Sequence, residues 1–190
     1  CIRDRYYAVT GGRTNTGPGN KAMRSTSLFS SQDLKIWKYE HNFMENECFL
    51  PPGEDASCPY FWPIGNRYIF LFFSHTTGSQ YLLGDYNKEE HCFYPTFHGR
   101  FNFMSFLPGG VHAPSATSDG EGGVIVIHNM HTGKKSPGWR GITTLPRKLT
   151  LDKCDTINIQ PYGDYKSLRT HHQHIDKTHL PANKEIFVCR

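Results

Sequence analysis

Two short apolar runs near the middle of the chain constrain its fold more than any other feature. Residues 68–74 are an unbroken series of aromatic and branched side chains, residues 80–83 form a second short run, and residues 75–79 turn the chain between them. The acidic pair Glu54 and Asp55 stands shortly upstream, before the segment Cys-Pro-Tyr-Phe-Trp-Pro. Because functional residues on sheet scaffolds are concentrated in loops, we expect a carboxylate-bearing loop at the mouth of a buried strand.

The composition predicts an all-β fold. With 190 residues the chain is long enough for one domain with a real core, or for part of a larger one. Aromatic residues make up 14%, and 18 glycines and 12 prolines mark frequent turns, so many short strands are expected. The net charge of +4 is spread along the chain without a basic run, and no apolar stretch reaches the length of a membrane span. We therefore predict neither a nucleic acid nor a membrane as partner, and oligomeric state stays open.

The cysteines leave the cellular compartment open. Six cysteines are spread along the chain without a CxxC pair, which excludes zinc-ribbon spacing. Free thiols are one interpretation, and disulfides in a secreted protein are the other. The sequence begins at Cys1 rather than Met and passes directly into a strand-like segment, so we expect the true start to lie upstream.

A loose repeat of about forty residues suggests blades of a β-propeller. The first unit has a strand over residues 5–10 that stops at Gly11-Gly12, a second strand over 27–31, and Ile36 and Trp37 directed into a core. Similar units return around residues 68–98, around 113–151, and less clearly from 157 onward. Units of this size with several short strands are typical of propellers. A β-sandwich is the alternative that the repeat alone leaves open.

Several motifs, taken together and in order, resemble glycoside hydrolase family 32, the invertase and fructanase family. They are SLFSSQDLKIWKYE, CPYFWPIGNRYIFLFFSH with YLLGDY, GGVHAPSATSDGEGGVIVIHNM, GWRGITTLPRKLTL and a later SLR. The resemblance covers about residues 5–170, and GWRGITTLPRKL is its most specific part.

The resemblance implies a fold and an activity. Members of the family have a five-bladed β-propeller followed by a β-sandwich, and they hydrolyse β-fructosides such as sucrose, inulin or levan with retention. This chain would then supply blades two to five over residues 1–170, and a linker and first sandwich strand over 171–190. The first blade would be absent, and a ring opened in this way is expected to associate through its exposed strand edges. The implied partner is a fructoside-like carbohydrate, with no cofactor and no metal.

The resemblance also implies catalytic carboxylates, of which this chain shows only traces. Retaining glycosidases need a nucleophile and an acid/base about 5 to 5.5 Å apart. The family nucleophile lies in an Asn-Asp-Pro-Asn type motif that this sequence lacks, so the chain alone is expected to be inactive. A stabilising Asp belongs to an Arg-Asp-Pro motif in the family. Asp4 is either its remnant, although Arg5 replaces the proline, or part of a turn just after a lost motif.

Ser57 stands where the family carries its acid/base. The family motif Glu-Cys-Pro corresponds to Ser57-Cys58-Pro59, and a serine cannot supply the proton that fructoside cleavage requires. Glu54 or Asp55 could take over the role, because burial against aromatic neighbours raises the pKa of a carboxyl group. A solvated acidic pair in a turn is the alternative.

Five further residues are candidate sugar contacts. Tyr60 and Trp62 offer flat faces to a sugar ring, although aromatic residues beside a strand often belong to the core. Trp139 lies in a glycine-flanked loop, Arg13 lies between two glycine clusters, and His112 stands where the family has a pocket-lining aromatic.

Two functions from different classes therefore remain open. One is a β-fructoside hydrolase of the family 32 type, and the other is a propeller that binds carbohydrate or a partner without catalysis. The histidines near residues 171–179 lack an accompanying ligand at a recognised metal spacing, so we explain them as a connecting segment.

Overall fold

The chain folds almost entirely into antiparallel strands. The structure is a computed structural model that describes residues 5–45, 49, 51–102, 110–130, 137–139, 141–171, 174, 176–179 and 181–185. Its strands are β1 (Tyr6–Thr14), β2 (Met23–Ser31), β3 (Lys38–Asn42), β4 (Ser57–Ile64), β5 (Arg67–Ser74), β6 (Gly78–Asn87), β7 (Cys92–Arg100), β8 (Val111–Ser118), β9 (Val124–Met130), β10 (Ile142–Thr143), β11 (Arg147–Leu151) and β12 (Ile157–Pro161). Short 3₁₀ turns occupy Pro18–Asn20 and Tyr165–Leu168. The predicted all-β class is confirmed.

The strands form three sheets that follow one another along the chain. The first has the order β1-β2-β3 and the second β4-β5-β6-β7. The third has the order β10-β9-β11-β12, with β8 also paired to β9. The strand β4, which begins the second sheet, packs against both β1 and β8. This serial stacking of meandering sheets is the arrangement of a propeller.

The third sheet changes how the predicted repeat divides the chain. The sequence suggested a separate unit from residue 157 onward. In the structure β12 pairs with β11 in register Leu149↔Ile159, so it is a strand of the third sheet. The described residues thus contain three sheets where four blades were expected, and the five-blade count stays a prediction. So does the domain boundary near residue 170.

The apolar run that dominates the sequence is buried on both faces. Alternate residues of β5 face opposite sides of the sheet. Phe70 and Phe72 join a cluster shared with Leu28 of the first sheet, whereas Ile69 and Leu71 join a cluster shared with Val126 of the third. A strand between two packed sheets needs apolar residues at every position, as in other strands covered on both faces. This explains why residues 68–74 show no polar alternation.

One expectation about the first sheet is wrong. Ile36 and Trp37 were predicted to point into a core, but they are 77% and 39% exposed. The cause is a local turn, because the Asp33 carboxylate accepts hydrogen bonds from the backbone N–H groups of Lys35 and Ile36. That turn carries the segment away from the sheet before β3 begins.

Gly11 fixes the distance between the first two sheets. The sequence suggested that β1 ends at Gly11-Gly12, but the strand continues through both to Thr14. A Cβ built on Gly11 would lie 1.4 Å from the carbonyl oxygen of Ala56, which directly follows Glu54 and Asp55. Only a residue without a side chain allows β1 to approach the acidic loop this closely.

A matched pair of glycine variants tests this contact. We expect Gly11→Ala to lower the free energy of unfolding by about 1–3 kcal/mol, the usual cost of overpacking, because the clashing atom belongs to the backbone. Gly12→Ala is the control, since its Cβ would meet its nearest neighbour, the Ser25 carbonyl oxygen, at 3.9 Å. Urea unfolding of both variants checks the prediction, and equal stabilities would contradict it.

Candidate active site

The candidate site, called the mouth below, lies around the start of β4, beside the end of β1 and the start of β8. Near the start of both β4 and β8, a polar residue is followed by a residue with positive φ and then by a proline. Ser57 precedes Cys58 (φ 52°) and Pro59, and His112 precedes Ala113 (φ 45°) and Pro114. Both strands have a register shift at this point. Bulges of this kind re-aim side chains near active sites, and they place Ser57 and His112 at corresponding positions in neighbouring sheets.

Asp55 is the best-connected carboxylate at this mouth. Its Oδ2 accepts a hydrogen bond from the Ser57 hydroxyl at 2.7 Å. The same oxygen lies 2.7 Å from His75 Nδ1, and its Oδ1 accepts from the His75 backbone N–H at 2.9 Å. Arg13, reaching over from β1, brings a guanidinium nitrogen to 3.6 Å from Oδ1. Two sheets and the β5–β6 turn therefore converge on one carboxylate.

These contacts keep Asp55 ionised. Burial raises the pKa of its carboxyl group, but the hydrogen bonds from Ser57 and from the backbone and ring of His75 outweigh burial, and the pKa is lowered overall. A carboxylate in this state can stabilise positive charge or orient a donor. It is poorly suited to give up a proton near neutral pH.

Glu54 has a different set of partners from its neighbour. It is 3% exposed, and its carboxylate accepts from the Thr77 hydroxyl at 2.6 Å and from Gln80 Nε2 at 3.2 Å. Gln80 Oε1 lies 2.6 Å from His98 Nε2. The two adjacent acidic residues therefore serve separate networks, one buried beneath the β5–β6 turn and one at the mouth.

Arg24 adds a buried positive charge near the Glu54 network. It is 4% exposed, its guanidinium lies 4.4 Å from the centre of the Phe72 ring, and its Nη2 donates to the carbonyl oxygen of Phe49 at 3.0 Å. Burial lowers the pKa of Arg24 to about 10, while Glu54 and Asp55 act in the opposite direction. The pair of acidic residues thus faces a fixed cation on its buried side.

His112 belongs to the mouth through an aromatic bridge. Phe73 packs against His75 with ring centres 4.8 Å apart and against His112 with ring centres 5.4 Å apart. The structure therefore brings together three of the predicted residues, Arg13, Asp55 and His112. Sequence reasoning missed His75 and Phe73.

The remaining candidates lie elsewhere or outside the described residues. Tyr60 and Trp62 are half-buried and pack against the apolar cluster between the second and third sheets, where Trp62 Nε1 donates to the Ala116 carbonyl at 3.2 Å. Trp139 is 49% exposed in the segment 137–139. Asp4 falls outside the described residues.

The described part of the chain offers no cluster of metal ligands and three free thiols. No three His, Cys, Asp or Glu side chains among the described residues come together as metal ligands. Cys58 and Cys154 are exposed free thiols, and Cys92 is a buried one. No helix among these residues is both long enough and apolar enough to cross a bilayer.

Comparisons with known proteins identify relatives of this fold. The model of the glycosyl hydrolases family 32 N-terminal domain matches residues 3–161. Two sucrose-6-phosphate hydrolases, from Zymomonas mobilis and Vibrio alginolyticus, are 26% and 28% identical over 186 and 185 residues. Each alignment covers 87% of this chain but only 35% and 36% of the relative.

Solved structures of the same kind share the fold. The Bombyx mori GH32 beta-fructofuranosidase BmSUC1 superposes with a TM-score of 0.69 at 21% identity, covering 92% of this chain and 38% of that one. Sucrose-6-phosphate hydrolase from Lactobacillus gasseri gives 0.66 at 18% identity with the same coverage. A mutant of the Bombyx mori enzyme is known in complex with sucrose and gives 0.64. The chain spans somewhat more than a third of the length of these proteins.

Proposed function

Because the chain belongs to glycosyl hydrolase family 32, we propose that the whole protein hydrolyses β-fructosidic bonds at the mouth formed by β1, β4 and β8. The observation that carries this proposal is the Asp55 carboxylate. It is held by Ser57, His75 and Arg13 just before the start of β4, where the resemblance locates a catalytic Glu.

The two acidic residues have different parts in this proposal. Fructoside cleavage passes through an oxocarbenium-like transition state that carries positive charge. Asp55, kept ionised at the mouth, provides the negative charge that stabilises it. Glu54 holds the β5–β6 turn through Thr77 and Gln80, and so fixes the position of His75. Asp4, the remaining candidate carboxylate, is proposed as a second stabiliser of the transition state, the role that the family motif suggests.

The sugar is held by residues around the mouth. Arg13 and His112 are positioned beside Asp55 and Phe73, and we assign hydrogen bonds with sugar hydroxyls to them. Trp139, half-exposed, offers a ring face to a sugar. We propose that Tyr60 and Trp62 act mainly by supporting β4 from its other face, since both pack against the core between sheets.

The choice of substrate class follows the relatives. The matched proteins are named sucrose-6-phosphate hydrolase and beta-fructofuranosidase, and one structure holds sucrose. We propose a sucrose- or fructan-type β-fructoside as substrate and a retaining mechanism, in which a carboxylate nucleophile and an acid/base group act in two steps.

Sugar release by the full-length protein tests this function. Incubation with sucrose, inulin and levan is expected to release fructose from at least one of them, with the anomeric configuration retained in the first product seen by NMR. No release from any of the three by the folded protein would contradict the proposal. Sugar binding without release, measured by calorimetry, would instead favour a carbohydrate-binding propeller, for which the serine at position 57 is the supporting observation.

A further inference from the structure

Among the residues that the structure describes, the mouth has no carboxylic acid placed to protonate a leaving group. Ser57 occupies the position of the family's acid/base, and its hydroxyl donates to Asp55. Asp55 is ionised, and Glu54 is 97% buried beneath the turn because its side chain is bonded to Thr77 and Gln80. Cleavage of an unactivated glycosidic bond nevertheless requires a proton donor.

We propose that His75 is this donor, with Asp55 as the carboxylate that orients its ring. The inference rests on the proposed function and names a residue that neither the motifs nor the resemblance singled out. Imidazole is the side chain most often used for general acid and base catalysis, since its charge changes between pH 5 and 8.

The geometry of His75 fits the role. Asp55 holds His75 at two points. Its Oδ1 accepts a hydrogen bond from the His75 backbone N–H at 2.9 Å, and its Oδ2 lies 2.7 Å from His75 Nδ1. The His75 side chain is 57% exposed, whereas that of Asp55 is 8% exposed. A carboxylate bonded to Nδ1 fixes the tautomer and the orientation of a histidine ring. The ring is thus anchored through Nδ1, and more than half of the side chain is exposed.

The surroundings place His75 beside the proposed sugar contacts. Phe73 packs against both His75 and His112 on β8, and Arg13 on β1 approaches the Asp55 carboxylate that His75 also contacts. Asp55, Arg13 and His112 are therefore among the titratable and charged groups near His75. A sugar that contacts both Arg13 and His112 would lie close to His75.

In the proposed reaction, His75 acts first as the acid and then as the base. The imidazolium of His75 transfers the proton on Nε2 to the glycosidic oxygen. The bond from that oxygen to the anomeric carbon breaks with its electron pair moving to the oxygen, and the leaving sugar departs as an alcohol. A carboxylate nucleophile outside the described residues captures the fructosyl carbon. Water then attacks this carbon, neutral His75 accepts the proton of the water, and the carboxylate is released.

A comparison of two substrates separates proton donation from a structural role. In the full-length protein, His75→Gln is expected to lower kcat/KM for sucrose by about 10²- to 10⁴-fold, the usual contribution of a general acid. The same variant should lose less than about tenfold on β-fructosyl fluoride, because fluoride leaves with little need for a proton. The matched control, His41→Gln on β3, should change neither rate.

Imidazole rescue and thermal melting distinguish loss of the proton donor from loss of the fold. His75→Gly should regain sucrose cleavage when imidazole is added, and both variants should melt within a few degrees of the unaltered protein. Equal losses on both substrates, or unchanged sucrose cleavage, would overturn the role of His75 and leave the proposed function standing. Cleavage of neither substrate by the unaltered protein would overturn both.

Discussion

Asp55→Asn in the full-length protein is expected to lower kcat for sucrose by about 10²- to 10³-fold, the cost of removing one preorganised electrostatic stabiliser from an active site. The amide is nearly the same size as the carboxylate but carries no charge. It cannot stabilise an oxocarbenium-like transition state, and one of its two ends donates where Ser57 and His75 now find an acceptor. Initial rates of fructose release check the prediction.

Two matched variants test whether the loss is specific to Asp55. Asp85→Asn changes a carboxylate on β6 whose side chain is 67% exposed and paired with Arg67 at 2.9 Å, and it should leave the rate unchanged. Glu54→Gln keeps an acceptor for only one of Thr77 and Gln80, but it should cost less than about tenfold, since we place no charge-stabilising role there. A loss larger for Glu54→Gln than for Asp55→Asn would reverse the assignment of the two residues.

Acid is expected to destabilise the fold through His128 by about 3 kcal/mol between pH 7 and pH 4. His128 on β9 is 1% exposed, and neither ring nitrogen has a hydrogen-bond partner within the described part of the chain. Burial, and then the charges of Arg147 and His112, lower its pKa from 6.5 to about 4. The unfolded chain therefore binds a proton between pH 6.5 and pH 4 that the folded protein excludes, and stability falls as the pH falls through this window.

Urea unfolding at pH 7 and pH 4 measures the loss of stability that His128 causes. The variant His128→Leu removes the titration and should reduce the acid-induced loss of stability by about 3 kcal/mol relative to the unaltered protein. His174→Leu is the control, because that side chain is 80% exposed. The same pH dependence in His128→Leu and in the unaltered protein would show that His128 does not carry the effect.

The sequence predicts the strands well because burial on both faces leaves a strong local pattern. Residues 68–74 correspond to β5 and residues 80–83 lie within β6, with the turn between them as expected. Ile36 and Trp37 were misassigned because apolarity alone does not show whether a turn directs a segment away from the sheet. The side chain of Asp33, which makes that turn, gives only a weak signal.

The site was predicted only in part, since its partners are far apart in the chain. Asp55 could be proposed from the acidic pair beside Cys-Pro, but His75 is twenty residues away and becomes its partner only through the β4–β5 pairing. That pairing was open to inference, because a hairpin closed at Gly65 brings Ser57 opposite Phe73. The bulge at Cys58 and Pro59 shifts this register, however, and no rule read from the sequence fixes its size.

The different environments of Glu54 and Asp55 also depend on tertiary structure. Adjacent residues of identical chemistry become distinct because Thr77 and Gln80 bind one carboxylate while Ser57, His75 and Arg13 bind the other. The close approach of β1, allowed by Gly11, brings Arg13 to this position. The sequence alone left the choice between the two residues open for this reason.

A crystal structure of the full-length protein soaked with fructose tests the central claim most directly. The claim is that the mouth formed by β1, β4 and β8 is the sugar site. We predict a fructose ring with a hydroxyl within about 3 Å of a carboxylate oxygen of Asp55, and with further polar contacts to Arg13, His75 or His112. Fructose bound elsewhere, without a polar contact to the Asp55 carboxylate, would contradict the account.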